Sequence, residues 1–187
     1  MQFKFIDKQI DYDGKQLRSH WIYEQLNILG NAIVCFIGKA DVKIDNMVDL
    51  QDVKDDAFIY SEKMLHFIIE HFNFTLKETI LSQRLFICII QNTLNKILGG
   101  NCIERKGDDL FYNNKKLSVS IATISNVSGL IHVGINIESR NAPVNAAGLL
   151  SEININNIND LAMELLQSYT IEHEQIRHAS YKVRSVI

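Results

Sequence analysis

The sequence contains few of the residues that divide a chain into domains or cross-link it. Pro143 is the one proline among 187 residues, and there is no Gly/Ser-rich linker and no internal repeat. Because proline and glycine clusters mark most turns and boundaries, their scarcity predicts a single domain over residues 1–187. The three cysteines (Cys35, Cys88 and Cys102) are odd in number and have no CxxC spacing, which excludes a disulfide framework and a zinc ribbon.

Charge and hydropathy exclude two further classes of protein. The formal net charge is -3, and no basic excess indicates nucleic-acid binding. No apolar run approaches the roughly 20 residues of a membrane-spanning helix. The first residues also lack the apolar core of a signal peptide. With 47% hydrophobic residues, the composition predicts a soluble cytoplasmic protein that binds neither nucleic acid nor a membrane.

Hydrophobic periodicity predicts an α+β domain with a mixed, largely antiparallel sheet flanked by helices. Helical spacing covers residues 17–29, 75–98 and the chain from residue 159 onward. The middle helix begins at Thr75 and Glu78, which are spaced as a capping box. The strands are predicted from short runs that are apolar or that alternate in polarity; they are Phe3–Ile6, Ala32–Ile37, Met64–Phe72, Cys102–Arg105, Lys116–Ile124 and Leu130–Ile137.

Two stretches allow more than one interpretation. Residues 41–56 contain six aspartates and two lysines, which is typical of a solvated loop, although such a stretch also suits cation binding. The last helix carries an apolar stripe. That stripe either packs on the core of the domain or forms the seam of a homodimer.

Three neighbouring segments carry the residues best suited to chemistry. Asp108 and Asp109 occupy a turn, Lys116 begins the next strand, and Gly134 and Asn136 lie on a third. Adjacent strands are about 4.8 Å apart, so these side chains can meet on one face. When a nucleotide activates a carboxylic acid, two anions approach each other, and a lysine stabilises the charge that develops. A carboxylate nearby orients the lysine or holds Mg²⁺.

These segments resemble the catalytic domain of the biotin and lipoate protein ligases, which has a class II synthetase-like fold. Asp-Asp-Leu-Phe at 108–111 is similar to the Asn-Asp-Leu-Tyr motif of biotin ligases. Lys-Leu-Ser-Val-Ser-Ile-Ala at 116–122 is similar to the lysine-bearing strand of both ligases, and Val-Gly-Ile-Asn at 133–136 is similar to the Gly-Ile-Asn strand. The whole chain also resembles an uncharacterised, largely archaeal family, through Ser19–Trp21, Met64–Phe67, Gln83–Leu85 and Gly107–Leu110.

The resemblance implies a ligase or acyltransferase that acts on a carboxylic acid, its adenylate or its thioester, with ATP and Mg²⁺ as cofactors. By this resemblance Lys116 contacts the substrate carboxyl and the adenylate phosphate, Asp109 takes the place of the motif aspartate, and Asn136 lies near the nucleotide. The glycine- and arginine-rich segments of the ligases are missing, and Val119 stands where they have glycine. These departures leave two alternatives: a non-catalytic small-molecule-binding domain on the same fold, and a structural or interaction protein.

Other polar residues are candidates for the same pocket. Arg105 suits bidentate phosphate binding, or else forms a surface ion pair. Arg84 either clamps a carboxylate or phosphate or lies on the exposed face of its helix. His66 is assigned to the pocket, with a hydrogen-bonded core histidine as its alternative. For the turn aspartates the alternative is turn capping, and for Lys116 a solvated hairpin position. No HxxxH or HxH spacing occurs, so no metal site is predicted.

Overall fold

The computed structural model describes residues 1–186, which form an α+β fold of two sheets and four α-helices. The strands are β1 Gln2–Ile6, β2 Ala32–Val42, β3 Ile59–Phe72, β4 Ile103–Lys106, β5 Asp109–Tyr112, β6 Lys115–Lys116, β7 Ser118–Ile124 and β8 Ser128–Asn136. The helices are α1 Trp21–Leu26, α2 Leu50–Lys54, α3 Leu76–Leu98 and α4 Ile158–Tyr181.

The pairing of the strands gives one large and one small sheet. The large sheet has the order β1-β2-β3-β8-β7, and the small sheet has the order β4-β5-β6. Within the described residues β1 and β2 pair in parallel, and the other named pairs are antiparallel. The predicted α+β class with a mixed, largely antiparallel sheet is confirmed.

One face of the large sheet packs against helices, and the other face lines a cavity. Successive side chains of a strand point to opposite faces. On β8, Ile131, Val133 and Ile135 therefore lie in the core that α3 and α4 cover. His132 and Asn136 point to the other face, where they line a cavity. The alternation along one strand thus separates the packing of the protein from its candidate site.

Helix α3 forms as its sequence predicts. The Thr75 side chain accepts the Glu78 backbone N–H (3.3 Å), and the Thr75 backbone N–H donates to the Glu78 carboxylate (2.8 Å). Both bonds satisfy first-turn donors that the helix itself leaves unpaired. Gly99, at φ 68, ends the helix in the left-handed region that glycine adopts without strain.

The first helix is shorter than predicted. It covers Trp21–Leu26 rather than residues 17–29. His20 (φ 64) and Asn27 (φ 56) both have left-handed backbone angles, and these interrupt the helix at its two ends. Leu17 is buried without being helical, because the preceding turns carry it into the core. The apolar spacing around Leu17 therefore indicates a buried residue and not a helical one.

The strand predicted over residues 116–124 is divided at Leu117. The backbone N–H of Leu117 donates to the Leu110 carbonyl of β5 (2.8 Å), so the chain passes at this residue from the small sheet to the large one. Lys116 lies at the end of β6 and also forms a bridge to Ala146. The joint between the sheets therefore fixes the backbone of Lys116 from two sides.

The stretch of residues 41–56 is more ordered than the predicted loop. It contains the end of β2, a 3₁₀ turn at Ile44–Asn46 and helix α2.

In α4, Leu161, Leu165 and Tyr169 are buried in the core, so the first half of this helix packs within the domain. No helix among residues 1–186 is long and apolar enough to span a membrane.

Candidate functional site

A cavity of about 370 Å³ lies on the face of the large sheet opposite α3 and α4. Met64, Val119 and Ile121 give it an apolar floor, and its walls include residues of the segments 46–60 and 142–146. This volume falls within the range of small-molecule pockets, which combine apolar walls with a few polar groups. The cavity is therefore the candidate site, and its polar lining decides what it can bind.

An ion pair between neighbouring strands lines this cavity. Lys116 Nζ lies 2.8 Å from Asp109 Oδ2, with the two side chains 33% and 29% exposed. Burial raises the pKa of the Asp109 carboxyl because it penalises the charged form, while the Lys116 ammonium acts in the opposite direction. Both residues were predicted for the site, and the structure brings them together in the cavity.

Asp108 also lines the cavity, and side chains of α3 bind its carboxylate. Gln83 Nε2 donates to Asp108 Oδ2 (3.1 Å) and to Ser120 Oγ (2.7 Å). Arg84 Nη2 lies 3.3 Å from Asp108 Oδ1. Arg84 does clamp a carboxylate, but one that belongs to the chain, and it lies outside the cavity lining. Its guanidinium is thus already engaged.

Two further aspartates, Asp49 and Asp52, complete the acidic lining, although no motif in the sequence distinguishes them from the aspartates around them. Asp49 accepts the backbone N–H of Gln51 (2.7 Å) and caps α2. The Asp52 carboxylate makes no hydrogen bond or ion pair within residues 1–186. Burial raises the pKa of Asp52, and Asp49 adds to this effect while Lys116 opposes it. The one sequence feature that could have indicated these residues is the acidic stretch at 41–56. It does not show which of its aspartates face the cavity.

The structure places His66 behind the cavity wall rather than in the pocket. Its Nδ1 lies 3.1 Å from Nε2 of His132, which does line the cavity. The ring of Tyr12 stacks on His132 with centroids 3.8 Å apart. Burial lowers the pKa of both histidines, to about 3 for His66, so both are neutral near pH 7. His66 is the hydrogen-bonded core histidine of the alternative interpretation.

The remaining candidates divide between the cavity and the surface. Arg105 lies outside the lining, is exposed, and donates to a backbone carbonyl of the β4–β5 turn (2.6 Å). Gly134 lies under the floor, where an added Cβ would meet Met64 Sδ at 2.2 Å. Asn136 lines the cavity at 8% exposure, and its amide donates to the Lys116 carbonyl (3.4 Å).

The described residues offer little to a metal ion. Residues 1–186 contain no group of three or more His, Cys, Asp or Glu side chains arranged to hold one. The four lining aspartates are therefore not arranged as a set of three or more metal ligands. Their common effect is a negative potential in a partly desolvated space.

The fold defined here is that of the biotin and lipoate protein ligases. The biotin protein ligase of Aquifex aeolicus in complex with biotin and ATP matches with a TM-score of 0.59 and 15% identity, over 94% of this chain and 72% of that one. A lipoate-protein ligase A bound with ATP matches with a TM-score of 0.56 and 14% identity, over 91% and 85% of the two chains. At such identities the likeness concerns the fold alone.

Within this fold, residues 1–184 match the family described as Domain of unknown function (DUF366), and the chain belongs to that family. The uncharacterized protein MJ0805 of Methanocaldococcus jannaschii is 34% identical, over 100% of this chain and 86% of the relative. The solved structure of a protein of unknown function from Pyrococcus horikoshi is 35% identical, with a TM-score of 0.91 over all of both chains. Both resemblances predicted from the sequence are confirmed.

Proposed function

We propose that this protein binds a small-molecule carboxylic acid in the cavity, with the acid group against Nζ of Lys116. The observation that carries the proposal is that Lys116 is the one lysine or arginine lining the cavity in the described part of the chain. A carboxylate there gains a charge-assisted hydrogen bond. The apolar floor accommodates the carbon skeleton, at about 25 cal/mol for each Å² of apolar surface removed from water.

Asp109 is the group that such an acid must displace. It holds the Lys116 ammonium at 2.8 Å, so the ligand exchanges one carboxylate for another at the same cation. Burial already raises the pKa of Asp109, and losing its cationic partner raises that pKa further. We therefore expect acid binding to be accompanied by proton uptake at Asp109 as pH falls toward its raised pKa.

The side chains present do not fit the triphosphate of ATP. Of the described residues, only Lys116 brings a fixed positive charge to the lining, because Arg84 is paired with Asp108 and Arg105 is exposed, and both arginines lie outside the cavity. The charged groups of the lining are mostly carboxylates, which repel phosphate, and no three of those described are arranged to hold an ion such as Mg²⁺. We assign no step to ATP or Mg²⁺, and ATP binding stays a prediction of the ligase resemblance.

A ligase or acyltransferase reaction on the bound acid is the second candidate. The observation that favours it is that Lys116, Asp109 and Asn136, which the ligase resemblance singles out, line one cavity. Lys116 would then stabilise negative charge on the reacting carboxyl group. A covalent acyl-enzyme is not part of this candidate, because no cysteine of the described chain lines the cavity and Ser120 is bound to Asp108 and Gln83.

Thermal unfolding in the presence of octanoate, lipoate or biotin tests the proposal, each with and without ATP and Mg²⁺. A ligand at about 100 times its Kd adds roughly 2.7 kcal/mol to the stability of the folded state. We expect a rise in the midpoint with at least one acid. The rise should be lost in Lys116→Met and kept in Lys115→Met, a neighbour on β6 outside the lining.

An equal rise in Lys116→Met would refute the assignment of the acid group to Lys116. Release of pyrophosphate or ADP from ATP, dependent on the added acid, would favour the ligase candidate. Acid binding with no nucleotide consumed would favour binding without that reaction.

A further inference from the structure

The charges around the cavity are unbalanced in a way that an acid alone does not explain. Asp49, Asp52, Asp108 and Asp109 line it together with Lys116, so four carboxylates face one ammonium. His132 adds no charge near neutral pH, because burial holds its pKa well below the usual range. A simple carboxylic acid would bring a fifth carboxylate into this space, and like charges in a partly desolvated cavity repel strongly.

Three of the four carboxylates have partners within the chain. Asp109 is paired with Lys116, Asp108 with side chains of α3, and Asp49 with backbone N–H groups of α2. Asp52 has no hydrogen bond or ion pair in the described part of the chain. It lies close enough to Lys116 and Asp109 for both to influence its pKa. Asp52 is thus the one carboxylate of the described lining that has neither an ion pair nor a hydrogen bond.

A second, independent feature of the cavity points to a polar ligand. Tyr12 lines it and is only 4% exposed, yet its hydroxyl makes no hydrogen bond with any of residues 1–186. The amide oxygen of Asn136, also in the lining and 8% exposed, likewise accepts no hydrogen bond from these residues. Both residues are largely buried and line the cavity, and these two atoms have no partner among the described residues, so both are available to a polar molecule in the cavity.

We infer that the molecule bound in this cavity carries a protonated amine as well as its acid group, and that the ammonium lies against Asp52. The inference rests on the proposed function, since it places the acid at Lys116 and the amine at the neighbouring carboxylate. The Tyr12 hydroxyl and the Asn136 amide oxygen accept hydrogen bonds from the remaining N–H groups. The substrate class is therefore an amino acid in the broad sense.

The balance of charge in the cavity explains why the ligand carries an amine. A zwitterion adds no net charge to the cavity. A plain acid adds one negative charge unless Asp109 takes up a proton, and a plain amine leaves Lys116 bound to Asp109. An ammonium beside Asp52 also compensates a carboxylate that is partly removed from water and has no other partner. The pair of charges on the ligand thus matches a pair already present on the protein, Lys116 and Asp52.

The test uses matched straight-chain compounds with four, six and eight carbons: the alkanoic acid, the alkylamine and the ω-amino acid of each length. Calorimetric titration at neutral pH gives the Kd of each for the wild-type protein. We expect an ω-amino acid to bind about tenfold more tightly than the acid and the amine of its length, as one charged hydrogen bond provides. In Asp52→Asn this advantage should disappear.

The matched control is Asp45→Asn, which removes an exposed carboxylate of the same stretch outside the cavity. It should keep the advantage of the amino acid. Asp49 is not substituted, because it caps α2. Since the comparison of ligand charge needs only the wild-type protein, the test survives even if a variant fails to fold.

The outcomes separate this inference from the proposed function. Acids that bind as tightly as amino acids, through Lys116, would overturn the inference and leave the proposed function standing. Amines that bind through Asp52 while no acid or amino acid binds through Lys116 would overturn both, since the inferred ligand needs both groups. A ligand with a Kd of about 1 mM occupies most of the sites when it is present at about 10 mM. If no amino acid binds at that concentration, the inference is also overturned.

Discussion

Asp109 and Lys116 reach each other from adjacent strands of the small sheet, with Oδ2 of the aspartate 2.8 Å from the lysine Nζ. The strand of the lysine then passes at Leu117 into the large sheet, whose floor carries the apolar part of the cavity. The ion pair therefore lies where the two sheets join. A small molecule held at Lys116 would contact both sheets at once.

Replacing Asp109 with asparagine should strengthen the binding of an acid. The substitution removes the carboxylate that competes for Lys116 while keeping nearly the same volume. We expect the Kd of a bound acid to fall by about tenfold, the effect of one charged hydrogen bond. Calorimetric titration measures it, with Asp45→Asn as the control. An unchanged Kd would mean that Asp109 does not compete with the ligand.

The support of Asp108 from α3 should depend more on Gln83 than on Arg84. Gln83 is buried and donates to Asp108 and Ser120, so Gln83→Leu removes two hydrogen bonds from a largely buried network and should cost about 1–3 kcal/mol. Arg84 and Asp108 are 40% and 35% exposed, so Arg84→Met should cost less than about 1 kcal/mol. Urea unfolding of both variants gives the comparison. The opposite order would contradict this account of Asp108.

Much of the fold was predictable because its signals are local. The capping box of α3 and the alternating polarity of β7 specify their own structure, whichever residues they later contact. The first helix was mispredicted because the apolar spacing around Leu17 reports burial, while the left-handed angles of His20 and Asn27 stop the helix. Those angles depend on tertiary context, which a single sequence does not display.

The site residues that belong to a sequence motif were predictable, whereas those whose position depends on tertiary packing were not. Lys116, Asp109, Asp108 and Asn136 all lie between residues 108 and 136, on segments that carry recognisable motifs, and they line one cavity. Asp52 comes from a distant stretch in which several aspartates look equivalent. For His66 the strand assignment was right, but the sequence does not show that its hydrogen-bond partner His132, rather than His66 itself, lines the cavity.

The buried histidines predict how stability changes with pH. Burial lowers the pKa of His66 and of His71 to about 3, and that of His132 also lies well below its usual value. In the unfolded chain they titrate near pH 6.5. Stability is therefore fully present above that pH and is lost as pH falls toward about 3, because only the unfolded chain takes up the protons.

Urea unfolding between pH 7 and pH 5 measures this loss. Toward the acidic end the slope from three histidines should approach roughly 4 kcal/mol per pH unit, and His71→Gln should lower it by about 1.4 kcal/mol per unit. A free energy of unfolding that stays constant over this range would contradict the neutral, buried state of these histidines.

Gly38 on β2 should tolerate no side chain. An added Cβ would lie 1.8 Å from the Ile10 carbonyl oxygen and 2.5 Å from its carbon, and a backbone cannot rotate away as a side chain can. The same segment leads to Tyr12 in the cavity lining. Gly38→Ala should cost about 1–3 kcal/mol or more. Gly100→Ala, whose Cβ would meet only Cys102 Sγ at 3.8 Å, is the control. Equal stabilities in urea would contradict the contact.

A crystal structure of the protein grown with 6-aminohexanoate would show directly what the cavity holds. We expect the carboxylate of the ligand within about 3 Å of Lys116 Nζ, with Asp109 displaced and the ammonium beside Asp52. A ligand bound elsewhere, or an empty cavity in which Lys116 remains paired with Asp109 at saturating ligand, would contradict this expectation.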